Sequence, residues 1–220
     1  MAISRVTAND TRNTSATTTV TTTYANTPTL GNTMIASVAG NNTPSNITVS
    51  DSNGNWTQIG IIANTPGGSV LTALFSLTAV GSQPKAITAD SGGASSAMWL
   101  NIYEYTGLGN NLLDQRNSSN MAVGGTNSNG GSITTTVANE LLFTNMAGTG
   151  IFTAPSINNS FSLRLGTPSG NLRLQDADRI VSSTLTVNPQ FSWTTTRTMG
   201  QIVASFKAPP SYTGGILPVM

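Results

Sequence analysis

Trp99-Leu100-Asn101-Ile102-Tyr103-Glu104-Tyr105 decides the fold class. Aromatic rings stand at 99, 103 and 105, and Leu100 and Ile102 fall between them. Successive side chains of a strand point to opposite faces, so both faces of this strand carry apolar groups that need cover. Outward from it, β-branched runs are cut by Gly, Asn, Asp and Pro at a spacing of roughly 8–12 residues, and helical periodicity is hard to find. Strands are predicted over 3–8, 16–24, 33–39, 47–50, 56–63, 70–78, 86–89, 97–105, 132–137, 140–145, 161–165, 172–176, 179–181, 184–187, 191–195 and 201–207. The prediction is an all-β, antiparallel β-sandwich, one domain over 1–207, followed by an extended tail over 208–220. The strands outnumber those of a single seven-stranded sandwich, so the surplus is expected as fragments of bent strands or as decorations.

Individual segments refine this. Thr17–Thr23 holds one strongly apolar residue, Val20, and reads as an edge strand or an intersubunit contact. Asp51-Ser52-Asn53-Gly54-Asn55 reads as a hairpin turn, because Asn-Gly supplies the positive φ that a tight turn needs. Ser169-Gly170-Asn171 reads the same way. Gly124–Gly131 is expected as a flexible surface loop, and Leu112-Leu113-Asp114-Gln115 as a short helical turn. Ile202, Ala204 and Phe206 share one face of a closing core strand.

Composition then limits the chemistry. Only 8% of the chain is charged, with 9 basic and 8 acidic residues and a net charge of +1. Polarity comes instead from 35 Thr, 25 Ser and 23 Asn. An ordinary domain is about a quarter Asp, Glu, Lys and Arg. The absence of His and Cys rules out a Ser-His-Asp triad and a thiol nucleophile. The nine cationic residues are scattered, which argues against a phosphate-binding surface and so against nucleic acid. No apolar run reaches the length of a membrane-spanning helix. The first ten residues lack an apolar signal core, so the expected setting is the cytoplasm or a particle assembled there, with an extracellular or cell-surface setting as the alternative.

Candidate sites are few. Asp51-x-Asn53-x-Asn55 has the opening of a calcium loop, but Trp56 and Ile62 stand where the helix–loop–helix version needs Gly and Glu. Asp176 and Asp178 share a face if extended, and Arg173 or Arg179 is the expected ion-pair partner. Glu104 is the one acid whose aromatic surroundings invite a search for a second carboxylate. No catalytic residue, cofactor or metal is assigned. Trp56, Trp99 and Trp193 are candidate rings for stacking on a glycan, with a place in the core as the competing reading.

The segments Asp51-Ser52-Asn53-Gly54-Asn55-Trp56-Thr57-Gln58-Ile59-Gly60, Tyr103-Glu104-Tyr105-Thr106-Gly107, Leu113-Asp114-Gln115, Ala138-Asn139-Glu140-Leu141-Leu142 and Val203-Ala204-Ser205-Phe206-Lys207 occur in that order, with Gly31–Val38 before them. In this order the chain resembles a jelly-roll-like β-sandwich domain of bacterial surface proteins and of phage tail, fibre and other virion proteins. The resemblance spans roughly residues 1–207. It implies a structural or binding module without catalytic residues. Such domains often sit in longer chains or behind a signal peptide, whereas here the domain is expected to stand alone, with a distinctive tail. The expectation is therefore a non-enzymatic phage virion subunit of decoration or fibre type, a homo-oligomer that contacts other virion proteins. A carbohydrate-binding module that takes a host-surface glycan is the alternative. In the tail, Tyr212, Ile216, Leu217, Val219 and Met220 are candidate residues for an arm that docks on a neighbouring subunit.

Overall fold

The computed structural model describes residues 2–41, 46–64, 70–92, 96–111, 113–120, 124–150, 155–166 and 172–209. The tail residues Tyr212, Ile216, Leu217, Val219 and Met220 and the turn Ser169–Asn171 lie outside the described residues.

The strands, numbered in chain order, sort into sheets whose order repeats. One five-stranded sheet sets Ser4–Thr17 (β1), Ser96–Thr106 (β9), Thr33–Asn41 (β3), Val70–Thr78 (β7) and Thr57–Asn64 (β6) side by side. Over it lies a four-stranded sheet of Thr19–Thr23 (β2), Ala86–Asp90 (β8), Thr48–Asp51 (β4) and Gly54–Asn55 (β5). The second half begins after a 3-10 turn, Gly109–Asn111. Its five-stranded sheet runs Leu113–Asn120 (β10), Met199–Lys207 (β19), Glu140–Thr149 (β13), Leu172–Val181 (β16) and Ser162–Gly166 (β15). The sheets over its far side are Gly125–Asn127 (β11), Phe191–Arg197 (β18) and Ser156–Ile157 (β14), and the pair Ile133–Thr134 (β12) and Thr186–Val187 (β17). Every pairing is antiparallel.

The expected all-β sandwich is present, but the surplus strands are not decorations. Order β1-β9-β3-β7-β6 in the first half corresponds to β10-β19-β13-β16-β15 in the second, and β2-β8-β4 to β11-β18-β14. The chain is the same eight-strand, two-sheet jelly-roll order written twice. The correspondence reaches detail: each outermost strand has a register shift at its start, between Arg5 and Thr7 in β1 and between Leu113 and Gln115 in β10.

The large sheets of the two halves pack face to face, giving four layers. In the first half Met34, Ala36 and Val38 of β3 point at the small sheet with Leu100 and Ile102, and meet Val20, Ile47, Val49, Trp56 and Ile87. Leu142, Met146 and Val203 do the same in the second half against Val187, Phe191 and Trp193. Between the halves lie Ile35, Leu74, Tyr103, Tyr105, Phe143, Ile202 and Phe206. This explains the apolar groups on both faces of Trp99–Tyr105: β9 sits in an inner layer. Facing pairs include β1 with β15 and β6 with β10, β9 with β16 and β7 with β19, and β7 with β13 and β3 with β16, while β3 meets β13. Exchanging corresponding strands maps this set onto itself, which is the signature of a two-fold relation. Ser37 of β3 and Asn145 of β13 occupy matching places and touch each other, Asn145 Nδ2 donating to Ser37 Oγ at 2.9 Å. Strands β3 and β13 run in the same direction, because Ile35 packs with Phe143 and Ala39 with Ala147. The pseudo-two-fold axis therefore runs along the strands.

Local expectations fare unevenly. Thr19–Thr23 is the outer strand of its sheet, as its polarity implied. Asp51 pairs with Gly54 across a two-residue turn, with Gly54 at φ +136°. Leu113–Gln115 is not helical: it starts β10, an edge strand whose single Leu gave no alternation to read. Gly125–Asn127 is a strand rather than a loose loop, and Ser128 exchanges hydrogen bonds with Phe191 beside it.

Candidate functional site

The carboxylates show where the chemistry has gone. Seven of the eight accept hydrogen bonds or ion pairs from the chain itself. Asp51, the candidate calcium ligand, takes the Asn53 amide on Oδ1 at 2.7 Å and the Trp56 indole on Oδ2 at 3.0 Å, with Gln83 Nε2 also on Oδ2. Its oxygens tie the hairpin to the ring beneath it. Among the described residues no group of three acids is placed to hold a metal ion.

Asp176 and Asp178 do share a face, and it is the face between the two halves. Asp176 accepts from Ser37 Oγ, Asn101 Nδ2 and the Tyr103 hydroxyl, each at 2.7 Å. Burial pushes its pKa up to about 7 against the pull of these three donors. Asp178 accepts from the Tyr105 hydroxyl at 2.5 Å and pairs with Arg164 at 2.6 Å. The expected partners Arg173 and Arg179 are replaced by Arg164, which the antiparallel β15–β16 pairing brings alongside, while Arg179 donates to the Asn159 carbonyl. Burial, followed by the nearby carboxylates, holds both tyrosine hydroxyls well above their usual range, so both are donors. Phe143 sits edge-on to Tyr103 with centroids 5.0 Å apart. This cluster joins the halves and is closed to solvent: Asn101, Tyr103, Tyr105, Asp176 and Asp178 are all buried.

Glu104 is occupied by a turn: among the described residues the hydrogen-bond partners of its carboxylate are an amide and an asparagine, not a second acid. Its Oε1 takes the Thr29 amide at 2.8 Å and Asn32 Nδ2 at 2.6 Å, which fixes the turn that enters β3. The second half solves the same problem from the other strand. Glu140, at the place matching Asn32, accepts the Thr136 and Val137 amides at 3.0 Å, with Ser205 beside it at the place matching Glu104. Burial raises the Glu140 pKa. Asp114 lies close by; burial works to raise its pKa, but the Lys207 ammonium at 2.7 Å and the Thr136 amide and hydroxyl outweigh it and bring it to about 2.

The three tryptophans proposed for glycan stacking are core residues. Trp56, Trp99 and Trp193 are 5%, 1% and 4% exposed, so none presents a ring face to a sugar. Trp56 bonds to Asp51, and Trp193 Nε1 to the Gly125 carbonyl. What the surface does offer is a cleft of about 380 Å³ where the edges of the large sheets meet, lined by Gln58, Ile59, Gly60, Arg116, Asn117, Ser118 and Ile202. The Arg116 guanidinium is turned inward onto the Ile59 carbonyl and so bridges β6 and β10.

The surface also offers an apolar pole that the sequence did not reveal. Among the described residues seven large apolar side chains are exposed, and six of them lie at the end where β3 and β13 begin. Leu30 and Val80 are the most open, at 69% and 64%. Their turns are joined by backbone bonds, Gly31 N to Ala79 O at 2.9 Å and Ala79 N to Asn32 O at 2.8 Å. Val137 and Ile180 stand on the matching elements of the other half, and Val6 and Leu113 near the register shifts of the two edge strands. The chain also leaves the second sandwich here, with Ala208 N bonded to the Asn139 carbonyl. Isolated apolar residues in turns have no periodicity, so only their assembly at one end gives them meaning.

No protein-family model matches the chain, and no curated protein matches it either.

Proposed function

We propose that the protein is a non-enzymatic structural subunit of a phage virion, of decoration or fibre type, that holds its place through protein–protein contacts. One observation carries this reading: seven of its eight carboxylates are engaged inside the fold, on turns, hairpins and the joint between the halves. The acids build the scaffold rather than a reaction site. Its surface is then mainly hydroxyl and amide, with a net charge of +1. Such groups lose less on desolvation at a contact than ammonium or carboxylate does. Weak self-repulsion favours association in many copies. The jelly-roll order adds an analogy of fold only, being shared by viral capsid and lectin domains. The sugar-binding alternative has no tryptophan face to stack on.

The test is salt. Ionic contacts are screened within about 3 Å at 1 M salt, whereas contacts between neutral and apolar groups persist. Particles carrying the protein retain it through washes in 1 M or stronger sodium chloride and release it in denaturant. Release by salt alone refutes the reading.

A further inference from the structure

We propose that the apolar pole is a homotypic contact surface, seated in the assembly against the same pole of a second copy of this chain. The inference deepens the lattice-contact reading and rests on it. Three observations carry it.

The first is symmetry. The exposed apolar side chains of the pole come from corresponding elements of the two halves, though not from equivalent positions: Leu30 and Val137 before β3 and β13, Val80 and Ile180 at or just past the ends of β7 and β16, and Val6 and Leu113 on β1 and β10. A surface with this pattern, inverted onto itself, brings apolar groups against apolar groups, which is what an isologous contact requires. The second is charge. A homotypic contact sets each charge against its own copy, so unpaired charge is costly there. At this pole the acids are engaged within the chain: Asp114 is paired with Lys207, Glu104 is taken up by Thr29 and Asn32, and Glu140 by Thr136 and Val137, while Arg5 beside Val6 is an exposed cation that the contact must leave at its solvated rim. The third is rigidity. The two glutamates clamp the backbone beside Leu30 and at Val137 themselves, so the apolar residues sit on fixed turns and little ordering is lost on contact.

The size also suits. Four layers about 10 Å apart and five strands about 4.8 Å apart give an end roughly 40 Å by 20 Å. That is on the order of 800 Å² per partner, the usual measure of a stable interface.

The test uses the full chain in sedimentation velocity over a concentration series, in low salt and in 1 M salt. The wild type moves toward twice the monomer mass as concentration rises, in both salts. The pair Leu30→Asp and Val80→Asp, on two exposed turns, weakens this by at least about a hundredfold, since each of the two copies exchanges two apolar contacts for two charges. Val137→Asp from the other half acts in the same direction. Leu163→Asp, at an exposed apolar residue away from the pole, associates as the wild type does. A native thermal transition for each variant separates loss of contact from loss of fold. A wild type that stays monomeric throughout overturns the proposal, as does a Leu30/Val80 variant that associates normally. Stronger association after removal of residues 210–220 also overturns it, because the chain's own tail then covers the pole. Retention on particles in high salt without self-association refutes the pole and spares the virion reading; self-association with release by salt does the reverse.

Discussion

Replacing Asp176 with Asn should flatten the dependence of stability on pH. Asp176 is fully buried between the halves, and its pKa is about 7 against 3.8 for a free side chain. A carboxyl whose pKa is higher in the folded state holds its proton more tightly there. Its contribution is complete below about pH 4 and is lost as pH rises through about 7. The whole difference is about 4 kcal/mol at 1.36 kcal/mol per unit, of which about 2 kcal/mol falls between pH 5.5 and 8. The sequence has no His or Cys to titrate in that window, and comparison with the Asn variant subtracts the remaining groups. Asn keeps the shape and an acceptor for the donors Asn101 and Tyr103, and its amide nitrogen takes the place of Oδ1 beside the Ser37 hydroxyl, which can turn to accept. Urea unfolding at pH 5.5 and pH 8 tests this. The wild type loses about 2 kcal/mol across the interval and the variant loses little, so the variant gains on the wild type as pH rises. A wild type equally stable at both values, or a variant with the same slope as the wild type, refutes the reasoning.

Three other outcomes follow from the same geometry. Asp114, held near 2 by Lys207 and Thr136 despite its burial, contributes stability that is present above about pH 4 and lost as pH falls toward 2; Asp114→Asn should remove that acid-limb loss in urea melts. Gly148→Ala should destabilise by about 1–3 kcal/mol, because its methyl would fall 2.1 Å from Met199 Sδ and 2.5 Å from the Thr198 carbonyl; an unchanged thermal midpoint counts against the packing described. Phe143→Ala should cost about 3–5 kcal/mol in denaturant unfolding, since the ring fills the space beside Tyr103 and Tyr105 at the joint between the halves.

Strand positions were largely legible because alternation and turn residues are local signals. Val70–Thr78 was read to the residue. The strand Leu113–Asn120 was not, since an edge strand with one apolar residue has no pattern to show. The repeat was invisible for a related reason. What the halves share is strand order and the place of a bulge, while matched positions differ in kind: Tyr103 corresponds to Ala204, Tyr105 to Phe206 and Leu74 to Asp176. That Asp176 and Asp178 share a face was legible from period two. Their partners were not, because Ser37, Asn101 and Arg164 arrive through sheet packing and strand pairing far from them in sequence. The tryptophans show the converse limit: composition locates a ring but not the layer that covers it.

The unequal seam between the sandwiches has a consequence for any attempt to split the chain. On one side of the axis Asn101, Tyr103 and Tyr105 face Asp176 and Asp178; on the other Leu74 faces Ile202 and Phe206. Two copies of the first sandwich, docked alone, would set the Tyr103 hydroxyl against Leu74 and the Tyr105 hydroxyl against Ser76, with no acid to receive either. Two copies of the second would press Asp176 and Asp178 onto isoleucine and phenylalanine. Each cognate sandwich therefore excludes its own twin and accepts only its sibling, so separately expressed halves should reconstitute as a mixed pair and never as like pairs.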